Sequence, residues 1–202
     1  KNSYVHSNRA GGAIAVDAQF STIENTKVAN NTGSGIFGYN NCKNNRVVNC
    51  IIFNNSGIGW GHSANENNQD NQLINSTVVR NNTGVSIAGT DKDHLIYNSI
   101  VWGNNSNPAN INANATVNNS AFSFVPPAGN NFQLDDNNAD GPMFVNPTLN
   151  HGTGIAGWET ADWNLQEGSP CIDAGDMNLI PVANTTDYYG NDRAQACNAD
   201  LG

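Results

Sequence analysis

The sequence predicts an all-β solenoid, a coil of short strands in which each strand stacks on its counterpart in the next coil. The first observation behind this prediction is a repeat of 21 to 26 residues over positions 1–122. The second is an excess of asparagine and glycine, which are poor helix formers. The third is the punctuation of each unit by Asn-Asn, Gly and Ser-Gly turns, which separate short β runs and leave no helical period.

The repeat is centred on an asparagine with a fixed neighbourhood. A small residue follows at position +1, an apolar residue follows at +3, and another apolar residue precedes at −2. Positions +1 and +3 would face one side of a strand, whereas the −2 residue must lie beyond a local irregularity. The repeated asparagines are Asn2, Asn25, Asn49, Asn75, Asn98 and Asn119.

The stretch VVNCIIFNNSGIGW, residues 47–60, indicates the structural role of the asparagines. Asn49, Asn54 and Asn55 interrupt runs of β-branched residues. Asparagine tolerates left-handed backbone and bonds its own chain, so we expect these residues at the corners of the coil. Stacked on another asparagine one coil away, each amide can donate on one side and accept on the other. A sugar-binding stripe is the functional alternative.

Composition and charge limit the classes of partner that the chain is expected to bind. The chain has 202 residues, a net charge of −9 and only 8 Lys and Arg. Binding to nucleic acid and adsorption to anionic membranes both depend on basic residues, so neither is expected. No apolar run reaches the length of a membrane-spanning helix, so we expect no insertion of this chain. We expect a monomer.

The chain divides into two regions. Residues 1–122 predict about five to six coils, and the unit is already complete at Asn2, so we expect further coils before it. After Phe122 the period is lost, and residues 123–202 predict an irregular region. We expect this region to cover the last coil, whose strand edge would otherwise be open. Cys171 and Cys197 could form a disulfide or remain free thiols.

Residues 1–125 resemble the right-handed parallel β-helix family, which includes pectate lyases and many bacterial surface proteins. Four ordered pieces after them resemble the ending of choice-of-anchor β-helix proteins of Bacteroidota-like bacteria. The resemblance implies a protein outside the cell or on its outer surface, with residues 123–202 next to an anchor. The four pieces are Phe144–Pro147, Leu165–Asp176, Asp187–Arg193 and Asp200–Gly202.

One segment has the spacing of a calcium loop. Asp136, Asn138 and Asp140 follow the D-x-N-x-D-G pattern, with Gly141 allowing a sharp turn. The bidentate acid expected at the twelfth position is replaced by Pro147. Calcium is therefore the one candidate cofactor, and turn chemistry is the alternative.

Two long excursions from the coil, residues 60–70 and 88–94, should lie side by side because they leave successive coils at corresponding places. The first predicts a ligand-binding set. The second predicts a catalytic set if the protein is an enzyme, because lyases need a base with a cation and glycosidases need two carboxylates. The ligand-binding set is Trp60, His62, Glu66 and Asp70, and the catalytic set is Asp91, Lys92, Asp93 and His94. The alternative is that these charges are solvated loop residues.

Two functions of different class follow. The first is a secreted or cell-surface protein with a structural or adhesive role that binds a polysaccharide or a host or cell-surface glycan. The alternative is a polysaccharide lyase or glycoside hydrolase, which should show charges at equivalent positions of neighbouring coils. The sequence has one modest cluster and no cationic stripe, so the first function is favoured.

Overall fold

The protein folds as a right-handed parallel β-helix of five coils with an irregular C-terminal region, as the repeat predicts. Three parallel sheets, here called A, B and C, run along the coil. Each of the five coils in the described part of the chain contributes one strand to each sheet, and two further strands extend sheet A. The computed structural model describes residues 2–9, 11–64, 67–87, 92–106, 110–181, 185–193 and 200–202.

Sheet A has seven strands: Tyr4–His6, Lys27–Ala29, Ile51–Phe53, Thr77–Val79, Ile100–Trp102, Ala121–Phe122 and Phe132–Gln133. Sheet B has five: Gly12–Val16, Ser34–Gly38, Ile58–His62, Thr83–Ile87 and Asn110–Ile111. Sheet C has five: Thr22–Glu24, Arg46–Val48, Gln72–Ile74, Leu95–Tyr97 and Thr116–Asn118. A small antiparallel sheet pairs Phe144–Asn146 with Asp162–Leu165, and Trp158–Thr160 and Met177–Leu179 form 3-10 turns.

Left-handed residues mark all three corners of the coil and confirm the role predicted for the asparagines. The six repeated asparagines have φ between 47° and 56° and separate sheet C from sheet A. This single left-handed residue is the irregularity that lets both −2 and +3 point into the core. The corner from A to B has Ser7, Asn30, Asn54, Arg80 and Gly103, and the corner before C has Phe20, Asn44, Asp70 and Asp93.

A ladder of amides follows the corner from A to B. Each Nδ2 donates to the Oδ1 of the next asparagine over 2.7 to 3.2 Å, and the same Oδ1 accepts the backbone N–H of the asparagine before it. The ladder thereby gives hydrogen-bond partners to buried backbone groups that lie at the corner and have no partner in the sheets. The ladder consists of Asn8, Asn31, Asn55, Asn81 and Asn104.

The inward residues form one continuous apolar core. The +3 residues of sheet A from the second coil onward are fully buried, and the −2 residues of sheet C pack against them. The +1 side chains form a second ladder, in which hydroxyls of Ser76, Ser99 and Ser120 accept backbone N–H groups of the preceding coil. The prediction that the +1 and +3 side chains face the same side is confirmed.

The C-terminal region continues the coil briefly and then turns back along it. Phe132–Gln133 pairs with Ala121–Phe122 as the last strand of sheet A. The described residues of 134–202, here called the cover segment, then pack on the outer face of sheet A instead of only over the last coil. The buried cluster they form with sheet A includes Phe53, Val79, Trp102, Phe144 and Trp163.

Hydrogen bonds fix the cover segment to both corners beside sheet A. At one corner, Nδ2 of Asn54 donates to the carbonyls of Asn150 and Gly152. At the other, the Arg193 guanidinium donates to Oδ1 of Asn49 and to the carbonyl of Asn75. The cover segment therefore uses the same corner asparagines that shape the coil.

Arg193 is the centre of this attachment. It is 1% exposed, and it also donates to the carbonyls of Thr186, Asp200 and Gly202 over 3.1 to 3.3 Å. Burial lowers the pKa of Arg193 to about 10, while Asp187 and Asp200 oppose that shift. The Arg193 side chain thus connects residues 187–193 and 200–202 to one another and to two successive coils.

Candidate functional site

The two predicted excursions lie side by side where the structure describes them. Gln69 pairs with Lys92 in a parallel bridge, and Asp70 and Asp93 both take the left-handed conformation at equivalent corner positions. Lys92 and Asp93 are exposed. Glu66 and Asp91 lie outside the described residues. Asp70 and Asp93 therefore have a structural role, and ligand-binding and catalytic roles for these two sets stay predictions.

The aromatic members of the two sets point into the lumen of the coil. Trp60, His62 and His94 are 2%, 6% and 0% exposed. The imidazole rings of His62 and His94 stack with centroids 4.7 Å apart and planes inclined by 10°, and Trp60 meets His62 edge-on at 5.0 Å. The structure thus brings both histidines together in the interior.

His94 occupies a ladder position of the third corner. The backbone N–H of Ser21 donates to Asn45, that of Asn45 donates to Asn71, and that of Asn71 donates to Nδ1 of His94 over 3.2 Å. Because Nδ1 accepts, the neutral ring carries its proton on Nε2. Burial lowers the pKa of His94 to about 4 and that of His62 to about 3, with His94 adding to the shift of His62. Both rings are neutral at pH 7.

The predicted calcium loop is occupied by its own hydrogen bonds. Nδ2 of Asn138 donates to the carbonyl of Phe144, and its Oδ1 accepts the Phe144 N–H, both over 2.8 Å. Oδ2 of Asp140 accepts from Nδ2 of Asn137, and Asp136 is exposed. In the described part of the chain, His, Cys, Asp and Glu form no group of three placed to hold a metal. Calcium at Asp136, Asn138 and Asp140 stays a prediction.

Cys42, Cys50 and Cys171 are buried, and no disulfide joins them to one another or to any other described residue. Burial raises the pKa of Cys171 to about 12, so it is protonated at neutral pH. Cys197 lies outside the described residues, and its pairing with Cys171 stays a prediction.

A different cavity combines aromatic, acidic and amide side chains. It lies between the outer face of sheet A and the cover segment, has a volume of about 440 Å³, and is here called the cover cavity. Ile51, Thr77 and Ile100 of sheet A line it from one side. Its remaining lining includes Trp163, Tyr188, Tyr189, Asp187, Asp200, Asn164 and Asn191.

The polar groups of the cover cavity are held by their neighbours. Both carboxylate oxygens of Asp187 accept from Asn191, over 2.8 and 2.9 Å. Oδ1 of Asp200 accepts the Asp173 N–H over 2.9 Å, and burial raises the pKa of Asp200. Lys27 places Nζ 5.4 Å from the centroids of both the Tyr188 and Tyr189 rings. The site is therefore preorganised and contains charges of both signs.

Sequence reasoning missed this cavity. From the sequence, residues 187–193 and Asp200 belong to two of the resemblance pieces, and Asp187 is one of the acids expected to pair with Arg193 and fix the loops. The available signal was composition, because DYYGNDR places two tyrosines between carboxylates in a region without a strand pattern. No sequence feature shows that this segment faces Thr77, more than 100 positions earlier.

Comparison with known proteins identifies a family and goes no further. Residues 1–101, half of the chain, match the model of the family described as right handed beta helix region. Neither a curated protein nor a solved structure matches the chain significantly. Among the described residues, no helical segment has the length and apolar character needed to cross a membrane.

Proposed function

The chain belongs to the right-handed β-helix family, and on that premise we propose that it is a monomeric bacterial surface or secreted protein that serves as a stiff structural or adhesive rod and binds glycan in the cover cavity. The partner is a polysaccharide or a glycan of a cell surface. The location outside the cell rests on the resemblance of the four C-terminal pieces to surface proteins.

The composition of the cover cavity is the observation that carries the glycan proposal. A sugar ring has an apolar C–H face that packs on aromatic rings, and hydroxyl groups that pair with planar carboxylates and amides. Tyr188 and Tyr189 supply the rings, Asp187 supplies the carboxylate, and Asn164 and Asn191 supply the amides. The cavity lies within the size range of small-ligand sites.

A glycoside hydrolase is the second candidate, and one observation favours it. Asp187 and Asp200 line the same cavity, and burial raises the pKa of Asp200. A carboxyl group with a raised pKa is the general acid that glycoside hydrolysis requires, and a second carboxylate is the base or nucleophile. Release of reducing ends from a bound glycan, abolished by Asp200→Asn, distinguishes this activity from binding alone. A polysaccharide lyase acting through His94, Lys92, Asp91 and Asp93 stays a prediction made from the sequence.

The binding proposal is tested with a glycan array probed with the full 202-residue chain, followed by calorimetry on each glycan that binds. Asp187→Asn should weaken binding at least tenfold, since a hydrogen bond to a charged group contributes about 1.5–3 kcal/mol. Tyr188→Ala should weaken binding up to about tenfold, since it removes the aromatic face on which the sugar packs. The matched controls are Asp17→Asn and Tyr39→Ala, which alter an exposed aspartate and a 37% exposed tyrosine away from the cavity.

Unchanged affinity in the controls together with weaker binding in the cavity variants supports the proposal. An array without any bound glycan contradicts it, as does equal weakening by the controls. Circular dichroism of every variant checks that the β-helix remains folded.

A further inference from the structure

A second cavity lies inside the coil, on the inner side of sheets B and C. Its volume is about 220 Å³, and it spans the first three coils. The lining is mainly aliphatic and aromatic, with Ile14, Ile36, Val47 and Trp60 among the contributors. It is separated by the wall of sheet A from the cover cavity, so it is a distinct site.

Two side chains that line this cavity have a buried polar atom without a hydrogen-bond partner among the described residues, Nδ1 of His62 and Nε of Arg46. His62 is 6% exposed and lines the cavity, and its Nδ1 has no hydrogen-bond partner among the residues that the structure describes. A buried polar group without a partner is unfavourable, and in native proteins it points to an unseen partner. The ring is held by its stack on His94 and its edge-on contact with Trp60.

The shape and chemistry of the cavity define its occupant. Apolar cavities of about 150 Å³ stay dry and accept molecules such as benzene, so this space suits a slightly larger ring compound. A hydroxyl or similar group suits both unpartnered atoms, because the Arg46 Nε–H donates, an imidazole nitrogen either donates or accepts, and a hydroxyl group does both. Asp17 and Ala18 line the same cavity and are exposed, which gives a route from solvent.

We propose that the lumen of the first three coils binds a compact, largely apolar ring molecule with one hydroxyl group, which bonds to Nδ1 of His62. This site does not depend on the glycan function. It also gives Trp60 and His62 a role as ligand-binding residues for an apolar molecule inside the coil, where the sequence suggested a glycan on the surface.

Phenol and toluene are the probes, because they share a ring and differ in the hydroxyl group. Calorimetry measures their affinity for the full chain, and NMR follows the Cε1–H signal of His62. Both probes should bind and shift this signal. His62→Phe should weaken phenol about tenfold while leaving toluene unchanged, since only phenol loses a hydrogen bond.

Filling the cavity provides the second test. Val47→Phe places a ring in the space and should abolish binding of both probes, and Ile23→Phe serves the same purpose if Val47→Phe does not fold. Leu149→Phe, at an 81% exposed position, is the control and should bind normally. The proposal is overturned if neither probe shifts the His62 signal at millimolar concentration, or if both probes bind the filled variant as they bind the parent chain.

Discussion

The coils and the cover segment are encoded in different ways. Amide contacts along the A-to-B corner join residues 23, 24, 26 and 23 positions apart, which is the repeat itself. Contacts of the cover segment with the coils span much longer separations. Arg193 is 144 positions from Asn49, and Gly154 is 124 positions from Asn30.

The asparagines at the corner between sheets C and A have two uses. Asn49 has a left-handed backbone that turns the coil, and its side chain accepts from Arg193 of the cover segment. Asn98 likewise turns the coil, and its Oδ1 accepts the Asp176 N–H over 2.9 Å. The corner is therefore a local device for the coil and a long-range docking site for the cover. The two uses should be separable by mutation.

The largest effect should come from Arg193→Ala, which breaks the docking while leaving the coil intact. Several hydrogen bonds to a buried charged group are lost at about 1.5–3 kcal/mol each, so we expect a loss of about 5 kcal/mol in the stability of the docked state. Hydrogen exchange should show faster exchange in 144–146 and 162–165 and unchanged protection in the sheet B strands. Arg9→Ala, at an exposed arginine, is the control.

Equal loss of protection in sheet B and in the cover segment would show that the two regions unfold as one unit. That result would contradict the separation of coil from cover.

Lowering the pH should destabilise the coil through the lumen. His62 and His94 have pKa values of about 3 and about 4 when folded and the ordinary 6.5 when unfolded. Below pH 6.5 the two histidines bind protons in the unfolded chain but not in the folded chain. The free energy of unfolding that is present above pH 6.5 is therefore lost as the pH falls. The loss from pH 7 to pH 5 should be roughly 3–4 kcal/mol for the pair.

Urea unfolding at the two pH values measures this loss. His94→Asn is the informative variant, because asparagine is the residue at the equivalent ladder positions of Asn45 and Asn71. It should keep the Asn71 N–H satisfied and reduce the pH dependence. A pH dependence identical to that of the parent chain would rule out His94 as a contributor.

Breaking one rung of the buried ladder should affect the coil more than the cover. Asn81→Ala leaves the Asn55 N–H and the Ile52 carbonyl without the partners they have at 3.1 and 2.9 Å. Unsatisfied buried groups cost about 1–3 kcal/mol each, so we expect a loss of about 3 kcal/mol in thermal or urea unfolding. Asn82→Ala, at the exposed neighbour, should change stability little. Equal losses in the two variants would contradict the ladder account.

The smallest effect tests the corner backbone alone. Asn75 has φ 47°, and a left-handed conformation costs an ordinary L-residue about 1–2 kcal/mol. Asn75→Ala should therefore destabilise by about 1 kcal/mol, whereas Asn75→Gly should be close to neutral. Urea unfolding of both variants distinguishes backbone strain from loss of the side chain, since the second would affect both equally.

The comparison of coil and cover also explains how far the sequence could predict the structure. The period gave the β-helix, the corners and the +1/+3 face because each coil contacts only its neighbours, one repeat away. It does not predict the lumen position of His62 and His94, because the polar residues in 60–70 and 88–94 favour loops, whereas Ile58–His62 is a strand and His94 takes a ladder position otherwise held by asparagine. The cover cavity could not be predicted from the sequence, since Asp187 and Asp200 line it together with Thr77, which lies more than 100 positions earlier in the chain.

The most direct test of the functional account is a crystal structure of the 202-residue chain soaked with a glycan selected on the array. If the cover cavity binds glycan, a sugar ring will lie in it, packed on Tyr188 and hydrogen-bonded to Asp187. A glycan ordered elsewhere on the coils, with the cover cavity empty, would contradict it.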